Sequence, residues 1–192
     1  MFDQRPDERG AAFGSLTNLL LFMIRPEADA ARRIAHITEG VRKKHALTAR
    51  PYPAERLHIT LSHIGDFPAL PYNTLDAAIA AASTLVMPSF TVAFNVVSSF
   101  NGSDRHPLVL RGDDGVAGVL KLQGILGSAM QRVGLVGARH HFTPHVTLLR
   151  DARSIDEERI EEVIWTVREF VLVQSLLGLS RYVPLARWTL GG

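Results

Sequence analysis

Arg56-Leu57-His58-Ile59-Thr60-Leu61 and Thr143-Pro144-His145-Val146-Thr147-Leu148 decide how this chain is read. Each stretch contains a histidine, a β-branched residue, a threonine and a leucine in that order, within a run of strand-forming residues. Side chains alternate faces along a strand, so His58 and Thr60 are expected on one face, with Ile59 and Leu61 on the other. His145 and Thr147 stand in the same relation to Val146 and Leu148. An imidazole beside a hydroxyl, made twice, points to one site assembled from two similar halves.

Working outward from the motifs, the same order of elements recurs around each. Thr17 to Ile24 reads as a buried strand, and Pro26 with Glu27 and Asp29 opens a helix whose core face is Ala30, Ile34, Ile37 and Val41. The first motif strand, Leu57 to Ile64, follows. Pro68 and Pro71 then mark a loop before a helix carrying Leu75, Ile79, Ala82 and Val86. The second round has a strand over Phe90 to Phe100, a turn at Asn101-Gly102-Ser103-Asp104 and a short strand at Leu108 to Leu110. Asp113 or Asp114 is placed to cap a helix with Val119, Leu122, Leu126, Met130 and Val133 on its apolar face, ended by Gly134. The second motif strand runs from Thr143 to Arg150. Ser154 and Glu157 have capping-box spacing for a short helix, and Val167 to Gln174 and Tyr182 to Leu190 read as closing strands. The expected fold class is α+β: a single bilobal domain over residues 1–192, with two antiparallel-rich sheets lining a central cleft and helices outside. Residues 1–14 are charged and aperiodic and read as a loose N-terminal arm.

Composition narrows the class of function. A chain of 192 residues buries about 70% of its unfolded surface, enough for a sizeable core. It has no cysteine, which excludes disulfides, thiol nucleophiles and thiolate metal sites. Leu16 to Ile24 is too short to span a bilayer, which takes about 20 residues. Asp3, Asp7 and Glu8 stand where a signal peptide is positively charged, so the run reads as a core strand and the protein as cytoplasmic; with no dimerisation signal in the sequence, a monomer is expected. A net charge of +2 permits an anionic ligand without demanding one.

Two histidines on one cleft can divide acid and base duties, because imidazole titrates near neutral pH. Two threonine hydroxyls beside them can hydrogen-bond the non-bridging oxygens of a phosphate. This set needs no nucleophilic residue, metal or other cofactor, and it suits transfer at a phosphodiester whose nucleophile is water or a ribose hydroxyl.

The motifs resemble those of the 2H phosphoesterase superfamily, named for two His-hydrophobic-Thr/Ser-hydrophobic signatures. Within it the chain is most similar to the 2′-5′ RNA ligases, also called RNA 2′,3′-cyclic phosphodiesterases. Arg56 to Leu61 with the following Ile64-Gly65, and Phe142 to Arg150, carry the likeness. The resemblance implies a pseudo-symmetric bilobal fold and hydrolysis of a 2′,3′-cyclic phosphate, on an RNA end or a nucleotide, to a 2′-phosphate. It implies His145 as the base that activates water, His58 as the acid that protonates the departing 3′ oxygen, and Thr60 and Thr147 as phosphate ligands. The two histidine roles exchange if substrate binds in reverse. The alternatives are the reverse chemistry, 2′-5′ joining of RNA ends, and an RNA- or nucleotide-binding module without turnover.

Arg150 matches a basic position of the family and is a candidate substrate ligand, although strict alternation from His145 places it on the opposite face. Phe142 is a second candidate, for stacking on a base, with a core position as its competitor. His63 stands where the family carries an aromatic or aliphatic residue, and its odd offset from His58 also points it away. Tyr52, Arg50 and Arg105 are candidates for the cleft walls by composition alone. Arg139-His140-His141 is a candidate for the cleft entrance. Arg42-Lys43-Lys44-His45 reads as a solvated helix end and Asp156 to Glu162 as helix surface. The eight histidines lack the spacing of a metal site.

Overall fold

The computed structural model describes residues 18–135, 142–176 and 181–191. The expected N-terminal arm and Arg139-His140-His141 lie outside these residues. Eight strands form two four-stranded sheets, in the orders β2-β1-β7-β8 and β5-β4-β3-β6. Every neighbouring pair in both sheets is antiparallel. The first sheet uses β1 (Asn18–Ile24), β2 (Ile59–Phe67), β7 (Glu169–Leu176) and β8 (Arg181–Thr189); the second uses β3 (Phe90–Ser99), β4 (His106–Arg111), β5 (His145–Asp151) and β6 (Glu158–Val167). The helices are α1 (Ala28–Lys44), α2 (Tyr72–Ala82) and α3 (Ala117–Arg132).

The internal repeat expected from the sequence is visible in this topology. α1 joins β1 to its antiparallel neighbour β2, and α3 joins β4 to its antiparallel neighbour β5. Each motif strand is therefore an edge strand, and β2 and β5 touch one another. One face of each sheet is apolar and packs with the helices: Phe22, Ile24, Ile59 and Phe170 from the first sheet share a core with Phe94, Leu110, Val146 and Trp165 from the second. Ile34 of α1 and Val119 and Leu122 of α3 complete it. Fully burying each such side chain is worth about 1.5–3 kcal/mol. Among the described residues no helix is long and apolar enough to cross a membrane.

Four local expectations change. α2 ends at Ala82, leaving Val86 87% exposed rather than on a helix face. α3 begins after Val116 without a side-chain cap, and Asp113 instead pairs with Arg159. Residues 154–157 form no helix; the Ile155 N–H donates to Ser99 Oγ, and the chain enters β6 at Glu158. The acidic segment read as helix surface is thus the first half of an edge strand, held in register by pairing with β3. Tertiary pairing overrides its helical propensity. Gly134 does end α3's turn, at φ 72°. Arg42, Lys44 and His45 are accounted for locally: Arg42 pairs with Glu39, and Lys44 and His45 with Glu158.

Candidate active site

The repeat places the motif residues at equivalent positions. His58 immediately precedes β2 and His145 is the first residue of β5. Thr60 is the cross-strand partner of Met23, and Thr147 that of Val109. Cross-strand partners share a face, so both threonines lie on the faces turned away from the common core. Met23, with Leu21, Val171 and Val173, forms a separate apolar cluster on that face of the first sheet.

Both histidines are anchored alike. His58 Nδ1 hydrogen-bonds the carbonyl of Arg56 at 2.7 Å, and His145 Nδ1 that of Thr143 at 2.8 Å. A carbonyl only accepts, so each Nδ1 carries the proton and each Nε2 is left as the reactive nitrogen. An aromatic edge fixes each ring: Tyr182 against His58, with centroids 5.2 Å apart, and Phe100 against His145 at 5.0 Å. Burial holds the His58 imidazole below its ordinary pKa; the bond to the Arg56 carbonyl opposes this, and the charges of Arg25, His145 and Arg56 add to it. Burial likewise lowers His145, opposed by the Thr143 carbonyl and aided by Arg150. Thr60 and Thr147 are half-buried, and no protein hydrogen bond to either hydroxyl is found among the described residues. Two imidazoles, with the charge of His145 acting on His58, flanked by two open hydroxyls, can divide proton transfer at a phosphate.

Arg150 joins this site because β5 is not a regular strand. Val109 pairs with Thr147 but Leu108 with Leu149, so Leu148 is a bulged extra residue. Leu148 and Leu149 both enter the core, and Arg150 returns to the Thr147 face. The same happens in β2: Met23 pairs with Thr60 and Phe22 with Ser62, which makes Leu61 the extra residue. His63 then pairs with Leu21, a member of the cluster on the Thr60 face, and its Nε2 bonds Asp66 at 2.6 Å. The alternation rule therefore misplaced both Arg150 and His63, each five residues after a motif histidine. Phe142 is half-buried and packs against the main core. Tyr52 lies beside Arg56, while Arg50 and Arg105 are exposed.

Three residues of this site had no role assigned from the sequence: Tyr182, Phe100 and Arg56. Only Arg56 carried a signal, its two-residue offset from His58; the two aromatic edges come from distant elements. Among the described residues no group of three His, Asp or Glu side chains is arranged to hold a metal ion.

Comparison with known proteins gives a consistent picture. Residues 26–178 match the family model of the 2′-5′ RNA ligase superfamily. Over 145 residues the chain is 32% identical to the RNA 2′,3′-cyclic phosphodiesterase of Escherichia coli K12, covering 73% of this chain and 80% of that one. The crystal structure of E. coli LigT complexed with 3′-AMP superposes with a TM-score of 0.75 at 27% identity, covering 92% of this chain and 99% of that one. A Thermus thermophilus protein, TT0787, shares the fold, with a TM-score of 0.74 at 21% identity over 91% of this chain and 98% of that one.

Proposed function

The chain belongs to the 2′-5′ RNA ligase superfamily and is a 2H-type phosphodiesterase, and on that premise we propose that it opens 2′,3′-cyclic phosphates, at RNA ends or on nucleotides, to 2′-phosphates. The observation that carries this reading is the paired presentation of two Nε2 atoms, each fixed by a carbonyl two residues earlier in the chain. His145 takes a proton from the attacking water. His58 gives one to the departing 3′ oxygen. The Thr60 and Thr147 hydroxyls donate to the non-bridging oxygens, and the Arg150 charge favours the anion. No resident cofactor is needed for these steps. Joining RNA ends uses the same groups with a 5′-hydroxyl of a second strand in place of water as the nucleophile; the abundance of water favours hydrolysis.

The pH dependence tests the assignment. The reaction requires one imidazole protonated and the other neutral. Both pKa values lie below the ordinary value of about 6.5, so the singly protonated pair is most abundant on the acid side of that value. A bell-shaped kcat/KM profile for a cyclic mononucleotide is expected, with its maximum below pH ~6.5 and a loss of about tenfold per unit on the alkaline limb. A flat profile, or an optimum above neutrality, contradicts a two-imidazole mechanism with these lowered values.

A further inference from the structure

Arg56 is the feature of this cleft that the four motif residues leave unexplained. It is half-buried, its Nε is wholly shielded from solvent with no hydrogen-bond partner, and among the described residues it makes no ion pair. Arg42 and Arg111, the other half-buried arginines among the described residues, are both held by carboxylates. What holds Arg56 is aromatic: its Cζ lies 4.7 Å from the centre of the Tyr52 ring and 5.9 Å from that of Tyr182. A guanidinium held over aromatic rings spends none of its N–H donors on a protein oxygen, and those donors match the oxygens of a phosphate. A guanidinium placed this way, with no acceptor among the described residues, is an anion site awaiting its ligand.

The anion is not the scissile phosphate. That group has the two hydroxyls and two Nε2 atoms, whereas the Arg56 carbonyl binds the Nδ1 side of His58. Tyr182 touches both the His58 ring and the Arg56 guanidinium, which sets the latter one ring further out. The equivalent position in the second half is Thr143, exposed and uncharged, so only the first half offers this contact. We propose that Arg56 binds a second phosphate of the substrate, the one next to the scissile group, and thereby selects cyclic-phosphate ends of RNA strands over cyclic mononucleotides. The proposal rests on the cyclic phosphodiesterase reading above.

The test compares kcat/KM for a 2′,3′-cyclic mononucleotide with that for a trinucleotide ending in the same cyclic phosphate. Arg56→Gln is expected to reduce the preference for the trinucleotide by about tenfold or more, the usual effect of losing a charge-assisted hydrogen bond. Any effect of the lost charge on the His58 imidazole falls on both substrates alike and cancels in this ratio, and a matched thermal melt shows that the variant is folded. Arg56→Lys, which keeps the charge but not the fork, retains part of the preference. Replacing the neighbouring phosphodiester by an uncharged methylphosphonate should cost the wild-type enzyme the same preference, and cost Arg56→Gln nothing further. Equal losses on both substrates, or wild-type indifference to the methylphosphonate, overturn the proposal. If the wild type turns over neither substrate, it is the cyclic phosphodiesterase reading that fails.

Discussion

His58→Ala and His145→Ala are each expected to lower kcat/KM on a 2′,3′-cyclic phosphate by at least about 10²-fold, the lower bound for losing a positioned general acid or base. Neither substitution should unfold the protein, because both rings stand at the starts of edge strands outside the shared core. The double variant is expected to lose little beyond the worse single one, since the two imidazoles act in one proton-transfer event. Steady-state rates with matched thermal melts check this. A single variant that keeps most of its turnover removes that histidine from the mechanism.

Asp151→Ala is expected to cost about 3 kcal/mol of stability, from three backbone donors left without an acceptor. Asp151 is 2% exposed, and its carboxylate accepts the N–H groups of Thr48, Ala49 and Arg153. Thr48 and Ala49 belong to the segment between α1 and the first motif, and Asp151 ends the second motif strand. A neighbouring bond, from Tyr52 N–H to the Leu148 carbonyl at 2.7 Å, ties the same two segments. Asp151 thus fixes one half of the site against the other. Burial alone would raise its pKa, but the Arg153, Ala49 and Thr48 donors prevail and lower it. A group whose folded pKa is lowered stabilises the fold above its unfolded value, about 3.9. That contribution is lost as pH falls through the folded value. Urea unfolding at neutral pH checks the substitution, and an effect within about 0.5 kcal/mol, the ordinary size of a surface change, rules out the staple.

The repeat of strand, helix and motif strand was legible because each element has a strong period, and both motifs sit where that repeat put them. The faces of Arg150 and His63 were not legible. Each lies beyond a bulge at the last motif leucine, Leu148 or Leu61, and one extra residue reverses every later side chain. Nothing local marks these bulges: the leucines are ordinary core residues in composition, and only the register with β4 and β1 reveals them. β6 was missed for a related reason, since Glu158 to Glu162 shows no apolar alternation and becomes a strand by pairing with β3. Tyr182 and Phe100 reach the two histidines from elements far away in the chain, where neither has a motif to mark it.

The central claim is that two imidazoles open a 2′,3′-cyclic phosphate, and the most direct measurement is the product itself. A cyclic-phosphate-terminated RNA oligonucleotide is incubated with the enzyme in EDTA, and the terminal phosphate isomer and strand length are identified. Conversion to the 2′-phosphate at unchanged length is the predicted result. A 3′-phosphate, a lengthened strand in place of hydrolysis, or activity abolished by the chelator contradicts it.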